Sequence, residues 1–206
     1  GIQGSGYQIE NSIGQRDGNI ISDSIFTGCL IGVDLEERGE YVTVVGCHLT
    51  NCETGIHIVG GSSNISACNI TNCTNGVHIT AGVNDAHGRV TNCIINHATQ
   101  FNVKVDSINV SDFKFDACDL CYGSIWLRYC SGVVFTGCVF DVNTFYFEQA
   151  LYNYFVSCHF ISSPSLNHRW IGTQSLTHFV NCIFPVGSAD SLSINGGYVK
   201  VRHATG

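Results

Sequence analysis

The stretch VTVVGCHLTNC at residues 42–52 is followed by NISACNITNC at residues 64–73, where the same pattern returns. Each stretch has an apolar residue three positions before its first cysteine and another two positions after it. The pattern is a structural repeat that runs from Ser24, which stands in the cysteine's place, to Cys182. Successive copies are 20–25 residues apart, and the cysteines in this position are Cys47, Cys68, Cys93, Cys118, Cys138, Cys158 and Cys182.

The two apolar columns that flank these cysteines hold a large side chain in every copy. A period of roughly 22 residues, with short alternating segments broken by Gly, Asn and Ser, indicates coils of short strands. Leucine-rich repeats share the period but have a fixed Leu and Asn pattern that is absent here, and propeller blades need about 40 residues. We therefore predict an all-β fold, a single-stranded parallel β-helix of about eight coils with equivalent residues stacked about 4.8 Å apart. The columns are Ile21, Val44, Ile65, Val90, Phe115, Phe135, Phe155 and Phe179 before the cysteine, and Phe26, Leu49, Ile70, Ile95, Leu120, Phe140, Phe160 and Phe184 after it.

The repeat extends over most of the chain, so we predict one domain covering residues 1–206. Residues 1–19 form a first coil or entry segment, residues 20–195 the regular coils and residues 196–206 a terminal segment. No helical pattern that would cover an open end precedes the first coil or follows the last, and an uncovered end exposes unpaired backbone groups. We therefore expect the chain to be a fragment or one subunit of a larger assembly.

The repeated cysteines are expected to face inward as small apolar side chains and to be free thiols. Disulfides between neighbouring coils remain an alternative, because a stacking distance of about 4.8 Å is within the disulfide range. No metal site is expected. Cys118 and Cys121 form the one C-x-x-C pair, and no second pair lies near it in the sequence.

Composition argues against several classes of function. The net charge is −7 and the chain has no basic run, so nucleic acid is not an expected partner. No run of eighteen apolar residues occurs, so membrane insertion is not expected either. No phosphate-binding loop, dinucleotide fingerprint or zinc-protease motif appears, and we predict no cofactor.

Coils of this length, with Asn-Cys turns such as those at residues 51–52 and 72–73, aromatic ladders and few charges, resemble the right-handed β-helices of the pectate-lyase-like superfamily. Within it the chain is most similar to the tailspike proteins of bacteriophages, over about residues 10–200. The resemblance implies a right-handed helix, a homotrimer, a bacterial surface polysaccharide as partner, and a place in the virion tail after folding in the host cytoplasm. A secreted protein is the alternative location.

A stripe of outward-facing residues is the predicted binding surface, because the middle residue of each Gly-led strand should point away from the core. Aromatic and hydrogen-bonding side chains stacked in this way suit a sugar chain, whose apolar ring faces pack on aromatics while its hydroxyls meet polar groups. A contact surface between subunits is an equally weighted alternative. The stripe comprises Asp34, His57, His78, Asn102, Trp126 and Tyr146.

The catalytic candidates are Asp34, Glu36 and His57. Two residues apart on a strand, Asp34 and Glu36 would lie on one face about 6.6 Å apart, near the separation that glycoside hydrolysis requires. His57, one coil away, would act as a base or proton relay. The alternative is a solvated loop with a local Glu–Arg pair, and a second, weaker carboxylate pair is Asp119 with Asp141.

The segment SSPSLNHRW at residues 162–170 is predicted to be a loop between coils, with Arg169 and Trp170 as saccharide contacts.

Three functions follow from these features. The first is a depolymerase, hydrolase or lyase, that cuts a bacterial surface polysaccharide. The second is a non-catalytic shaft or receptor-binding module. The third is a secreted polysaccharide lyase or epimerase.

Overall fold

A computed structural model describes residues 5–9, 18–36, 40–81, 85–141, 144–161, 169–173, 176–184 and 198–202. Three parallel sheets wind around one apolar core, and each strand pairs with its equivalents in the preceding and following coils. Within the described ranges, seven coils contribute a strand to all three sheets, and partial coils extend the helix at both ends. The prediction of an all-β parallel β-helix is confirmed.

Sheet 1 has eight strands, sheet 2 has nine and sheet 3 has seven. Sheet 1 consists of β1 (Ser5–Ile9), β4 (Ile31–Leu35), β7 (Thr54–Ile58), β10 (Asn75–Ile79), β13 (Phe101–Asp106), β16 (Ser124–Arg128), β19 (Thr144–Glu148) and β22 (Arg169–Thr173). Sheet 2 consists of β2 (Ile20–Ser22), β5 (Val42–Val45), β8 (Gly61–Ser66), β11 (Ala86–Thr91), β14 (Lys114–Asp116), β17 (Val134–Thr136), β20 (Asn153–Val156), β23 (Leu176–Val180) and β24 (Tyr198–Arg202). Sheet 3 consists of β3 (Ile25–Thr27), β6 (His48–Thr50), β9 (Asn69–Thr71), β12 (Ile94–Asn96), β15 (Asp119–Cys121), β18 (Val139–Asp141) and β21 (His159–Ile161).

Single residues with left-handed backbone angles make the corners of each coil. One column of them stands directly before the repeated cysteine, between sheets 2 and 3, and a second column lies between sheets 3 and 1. Glycine and asparagine adopt positive φ more readily than most residues, which explains why the position before the cysteine is small or Asn. The first column is Asp23, Gly46, Ala67, Asn92, Ala117, Gly137, Ser157 and Asn181, and the second includes Gly28, Asn51, Asn72, His97 and Tyr122.

The core contains stacked ladders of like side chains. The rings of Phe115, Phe135 and Phe155 stack with centroids 4.8 Å apart, and Phe160 stacks on Phe184 at 4.7 Å. These parallel contacts follow from the fold, because equivalent positions of neighbouring coils are one strand spacing apart. The predicted phenylalanine ladders are confirmed.

The repeated cysteines line the corner between sheets 2 and 3, where all but the half-buried Cys182 are fully buried, so the predicted inward packing is confirmed for them. All twelve cysteines are free thiols. Their Sγ atoms donate to backbone carbonyls of the previous coil, as from Cys138 to Phe115 at 3.3 Å and from Cys158 to Phe135 at 3.3 Å. A small side chain with a weak donor therefore fills a corner where carbonyl oxygens point inward.

The glycine that leads several strands of sheet 1 is required by packing. A Cβ placed on Gly55 would lie 2.6 Å from Cγ2 of Ile70 in sheet 3 and 2.7 Å from the carbonyl oxygen of Gly76. The corner between sheets 3 and 1 is therefore too tight for a side chain in this coil.

Candidate functional site

The outer stripe of sheet 1 is a column of six residues at paired positions of neighbouring strands. Strands β4, β7, β10, β13, β16 and β19 each contribute one residue, and their neighbours in each strand face the core. The stripe runs parallel to the helix axis with one residue per coil. It consists of Asp34, His57, His78, Lys104, Trp126 and Tyr146.

The stripe differs from the prediction at one position, because Lys104 stands where Asn102 was expected. The register shifts between Phe101 and Val103, which is a β-bulge, and the extra residue turns Asn102 into the core. Asn102 is fully buried, and its Nδ2 donates to the carbonyl of Cys121 at 2.9 Å. The prediction that Asn102 faces outward is therefore wrong.

Asp34, His57 and Thr80 form a chain of hydrogen bonds across three coils, which we call the relay. Nδ1 of His57 lies 2.9 Å from Oδ1 of Asp34, and Nε2 of His57 lies 3.1 Å from Oγ1 of Thr80. An ionised carboxylate can only accept, so Nδ1 of His57 carries a proton and donates it. In the neutral imidazole Nε2 therefore accepts from the Thr80 hydroxyl, so both ring nitrogens of His57 are hydrogen-bonded within the relay.

Asp34 is nearly buried, with 6% of its surface exposed, while His57 keeps about a fifth of its side chain accessible. The carboxylate of Asp34 is thus the less accessible partner of this hydrogen bond, and the imidazole of His57 is the more exposed one. This arrangement suits an orienting role for Asp34 and a proton-transfer role for His57.

Glu36 lies at the end of the strand that carries Asp34. Strand β4 ends at Leu35, and Glu36 is the half-buried residue after it. In the same acidic segment, Glu40 accepts a hydrogen bond from the backbone N–H of Ser62 at 3.0 Å. The catalytic pairing of Asp34 with Glu36 stays a prediction, while Asp34 itself is engaged with His57.

The weaker carboxylate pair does not come together in register. Asp119 is paired with Val139, and Asp141 is paired with Cys121, on adjacent strands of sheet 3. The two aspartates therefore occupy different positions along their strands.

His78 sits beside the relay, with its ring centroid 5.3 Å from that of His57. Its Nε2 is buried and has no hydrogen-bond partner among the described residues. Burial, together with the nearby charges of Lys104 and then His57, lowers the pKa of His78 to about 4. His78 is therefore neutral at neutral pH and separates the relay from Lys104.

The other half of the stripe is aromatic and cationic. The ring of Trp126 lies 5.2 Å from that of Phe101, whose ring also meets Tyr146 edge-on at 6.0 Å. Nζ of Lys104 is 5.2 Å from the centroid of Trp126, and the guanidinium carbon of Arg128 is 5.5 Å from it. These contacts fix the indole between two cations by cation–π attraction.

Arg128 is further held by acidic neighbours on the adjoining coils. Its Nε lies 3.2 Å from Oε2 of Glu148, and one terminal nitrogen lies 3.7 Å from Oδ1 of Asp106. The other terminal nitrogen donates to the hydroxyl of Tyr129 at 3.1 Å. The arginine is thus part of a charge network that limits its freedom and keeps it beside Trp126.

Arg169 and Trp170 lie in a strand, so their predicted place in a loop is wrong. They belong to β22, where Arg169 pairs with Thr144 and Trp170 with Phe145. Ile171 is the residue in register with Tyr146 of the stripe. Residues 162–168 lie outside the described part of the chain. A saccharide contact by Arg169 or Trp170 stays a prediction.

Four residues of this face were not singled out from the sequence: Thr80, Phe101, Lys104 and Arg128. A signal for Lys104 exists, because Val103 and Val105 flank it in strict alternation. Thr80 carried no such signal, since it follows the end of β10 and meets His57 of the preceding coil.

A family model described as a right handed beta helix region matches residues 32–205. The chain belongs to the right-handed β-helix family. Among curated proteins none matches the chain. Membership of the right-handed β-helix family suggests a protein that binds or acts on polysaccharide, and it supports the wider superfamily that the sequence resembles.

No group of three or more His, Cys, Asp or Glu side chains able to hold a metal ion occurs in the described ranges. The described residues also include no helix long and apolar enough to span a bilayer.

Proposed function

We propose that this right-handed β-helix protein is a tailspike-type protein that binds a bacterial surface polysaccharide along the outer stripe of sheet 1 and cleaves it. The polysaccharide lies parallel to the helix axis, so that successive sugars meet successive coils. The aromatic half of the stripe binds, and the relay at the other end supplies the base for cleavage.

The observation that carries the proposal is the cluster of Phe101, Trp126 and Tyr146 beside Lys104 on one outward face. Aromatic rings offer a flat apolar surface for the ring face of a sugar, while the ammonium donates to hydroxyl or carboxylate oxygens. The cation–π contacts hold Trp126 in place before the ligand arrives. Less ordering of side chains is then needed on binding.

The proposed chemistry uses Nε2 of His57 as the base, once its hydrogen bond to Thr80 is exchanged for one to substrate or water, with Asp34 fixing the tautomer and stabilising the imidazolium that forms. Such a base serves either elimination or hydrolysis. In elimination it removes the proton next to a sugar carboxylate, the glycosidic C–O bond breaks, and the leaving oxygen takes a proton from the imidazolium or from water. In hydrolysis it activates a water that replaces the leaving sugar oxygen, which is protonated in turn. Glu36, one residue beyond β4, is the second carboxylate of the hydrolytic alternative.

Two alternatives remain candidates. A non-catalytic shaft or receptor-binding module would use the same aromatic cluster for recognition and His57 only as a structural partner of Asp34. A secreted lyase or epimerase would use the same base. Homotrimer formation and a place in the virion tail are part of the tailspike proposal.

The test of binding is calorimetric titration with a panel of purified bacterial surface polysaccharides. Replacing Trp126 with Ala should weaken binding by about tenfold or more, since stacking adds to the apolar area that the ring buries. The matched control is Tyr154→Ala, which removes a half-buried aromatic of sheet 2 that stacks on His178. Unchanged affinity of Trp126→Ala, or an equal loss in Tyr154→Ala, would contradict the proposal.

Cleavage and assembly are tested on the same sample. Light scattering should give the mass of a trimer, and a reducing-end assay should show release of new sugar ends. Absorbance from unsaturated sugars would identify elimination. A protein that binds without releasing ends would favour the shaft or receptor-binding alternative.

A further inference from the structure

A groove of about 630 Å³ lies on the outer face of sheet 2, separate from the outer stripe on sheet 1. We call it the sheet 2 groove. Strands β5, β8 and β11 form its floor, and residues at and before β14 close it at one end. Most of the lining residues are polar, and the charged ones lie towards the β14 end of the groove. The lining residues used below are Tyr41, Asn64, His87, Arg89, Asp112 and Lys114.

Two cations stand at paired positions in this groove. Arg89 of β11 and Lys114 of β14 are register partners on neighbouring coils, and both are exposed. Neither forms an ion pair with any described residue. Like charges at paired positions of a sheet destabilise it. The chain has only nine Lys and Arg residues and a net charge of −7, so an unpaired cationic couple is an uncommon feature of its surface.

Glu40 and Asp112 each place a carboxylate near the groove, and neither forms an ion pair with Arg89 or Lys114. Oε2 of Glu40 accepts from the backbone N–H of Ser62. Asp112 is exposed at the end of the groove that also holds Lys114. Exposed His87, on the same strand as Arg89, adds a further hydrogen-bonding group. Both cations are therefore free to pair with an anionic group of a ligand.

The uncharged end of the groove suits a sugar. Asn64 is the register partner of Arg89 on the previous coil and presents an amide beside it. Tyr41, with 67% of its surface exposed, provides an aromatic ring at the edge. A ring for stacking, an amide for hydroxyl groups and two cations for an acidic group therefore follow one another along the axis.

We propose that the sheet 2 groove is a second saccharide-binding site, which takes an anionic sugar and pairs its carboxylate or sulfate group with Arg89 and Lys114. The site is independent of the outer stripe, and its ligand need not be the polymer bound there. Binding of the anion also relieves the repulsion between the two paired cations.

The test compares three probes by calorimetric titration: a uronic acid hexasaccharide, its neutral methyl ester and inorganic sulfate. The acidic hexasaccharide should bind, and added salt should weaken it because the exposed charges are screened. The methyl ester and free sulfate should each bind at least about tenfold more weakly, since each offers only part of the recognised chemistry. Sulfate binding as tight as that of the hexasaccharide would overturn the assignment of a sugar.

The variant is Arg89→Gln with Lys114→Gln, which keeps a polar, hydrogen-bonding side chain at each position and removes both charges. It should bind the acidic hexasaccharide at least about tenfold more weakly. The matched control is Lys200→Gln with Arg202→Gln in β24, which removes the same charge at the far end of sheet 2. Equal losses in the two double variants, or none in the first, would overturn the proposal.

Folding of the variant is checked by thermal denaturation without ligand. The double variant should be at least as stable as the original protein, because it removes a like-charge pair. If the double variant does not fold, Lys114→Gln alone serves in its place with a smaller expected loss of affinity. Intact binding of a polysaccharide to the outer stripe of the variant would separate this site from the one on sheet 1.

Discussion

Nδ1 of His57 lies 2.9 Å from Oδ1 of Asp34, although the two residues are 23 positions apart in the chain. The contact joins equivalent positions of neighbouring coils, where strands β4 and β7 are paired. In a β-helix such a position is one strand spacing from its partner, which is the separation at which two short side chains meet. The relay therefore depends on the register between coils.

The first prediction concerns Asp34. Replacing it with Asn should lower the rate of polysaccharide cleavage by about 100-fold or more, because the amide no longer fixes the tautomer of His57. Affinity for the polysaccharide should change little. The measurement is the release of reducing ends under saturating substrate.

The control for this prediction is Asp119→Asn, the same change at an exposed carboxylate of sheet 3. It should cleave at the original rate. Thr80→Val replaces the hydroxyl at the other end of the relay with a methyl group. Its cleavage rate measures the contribution of that hydroxyl to catalysis. Full activity in Asp34→Asn would exclude the relay as the catalytic base.

The second prediction concerns stability and pH. The pKa of His78 is lowered from 6.5 to about 4, mainly by burial, so the unfolded chain binds a proton at higher pH than the folded one does. The contribution of neutral His78 to the free energy of unfolding is fully present above pH ~6.5 and is lost as the pH falls towards ~4. Urea unfolding at a series of pH values across this range gives the free energy of unfolding as a function of pH. This free energy should fall less steeply with decreasing pH in His78→Gln than in the original protein.

The exposed His48 provides the comparison, and His48→Gln should retain the slope of the original protein. A slope that is the same in His78→Gln and in the original protein would show that His78 does not contribute to the pH dependence.

The third prediction concerns the phenylalanine ladder. Phe135 is fully buried and stacks on both Phe115 and Phe155 at 4.8 Å. Phe135→Ala should lower the free energy of unfolding by about 3–5 kcal/mol, through lost apolar burial and the cavity left behind. Phe135→Leu should cost less, since more of the volume is kept. Chemical denaturation measures both, and a loss in Phe135→Ala no larger than in Tyr154→Ala would contradict the stacked core.

The fourth prediction concerns the thiols. Burial raises the pKa of the Cys130 thiol to about 12, so it stays protonated and unreactive in the folded protein. Half-buried Cys29, Cys121 and Cys182 should be alkylated first, and all twelve cysteines should react once the protein is unfolded in urea. Mass spectrometry of peptides after timed labelling gives the order. Labelling of Cys130 as fast as Cys29 in the native protein would be inconsistent with this packing.

Much of the fold could be predicted from the sequence because every coil of a β-helix repeats the same pattern of inward and outward residues. The apolar columns that include Val44 and Leu49 predicted two inward faces, and both residues are fully buried. The small residues and asparagines before the cysteine are explained by corners with positive φ, as at Gly46 and Asn92. Equivalent positions stack in space, so a pattern along the chain becomes a ladder along the axis.

The candidate site could be predicted only in part. Asp34, His57 and His78 fall in one column because their coils keep the repeat without interruption. The bulge at Asn102 shifted the register by one residue and brought Lys104 into the stripe, and the alternation of Lys104 with Val103 and Val105 is the sign of it in the sequence. Trp170 was assigned to a loop because its neighbours are polar and include a proline, whereas its backbone continues sheet 1.

The sequence by itself determined the parallel coils, the inward ladders of Phe and Cys and the outward position of most of the stripe, because each of these depends on periodicity alone. The tertiary structure decided which side chains meet across coils: Thr80 with His57, Phe101 with Trp126, and Arg89 beside Lys114. Such contacts depend on register, bulges and the lengths of the connections between strands. A one-dimensional period carries no information about them until the coils are stacked.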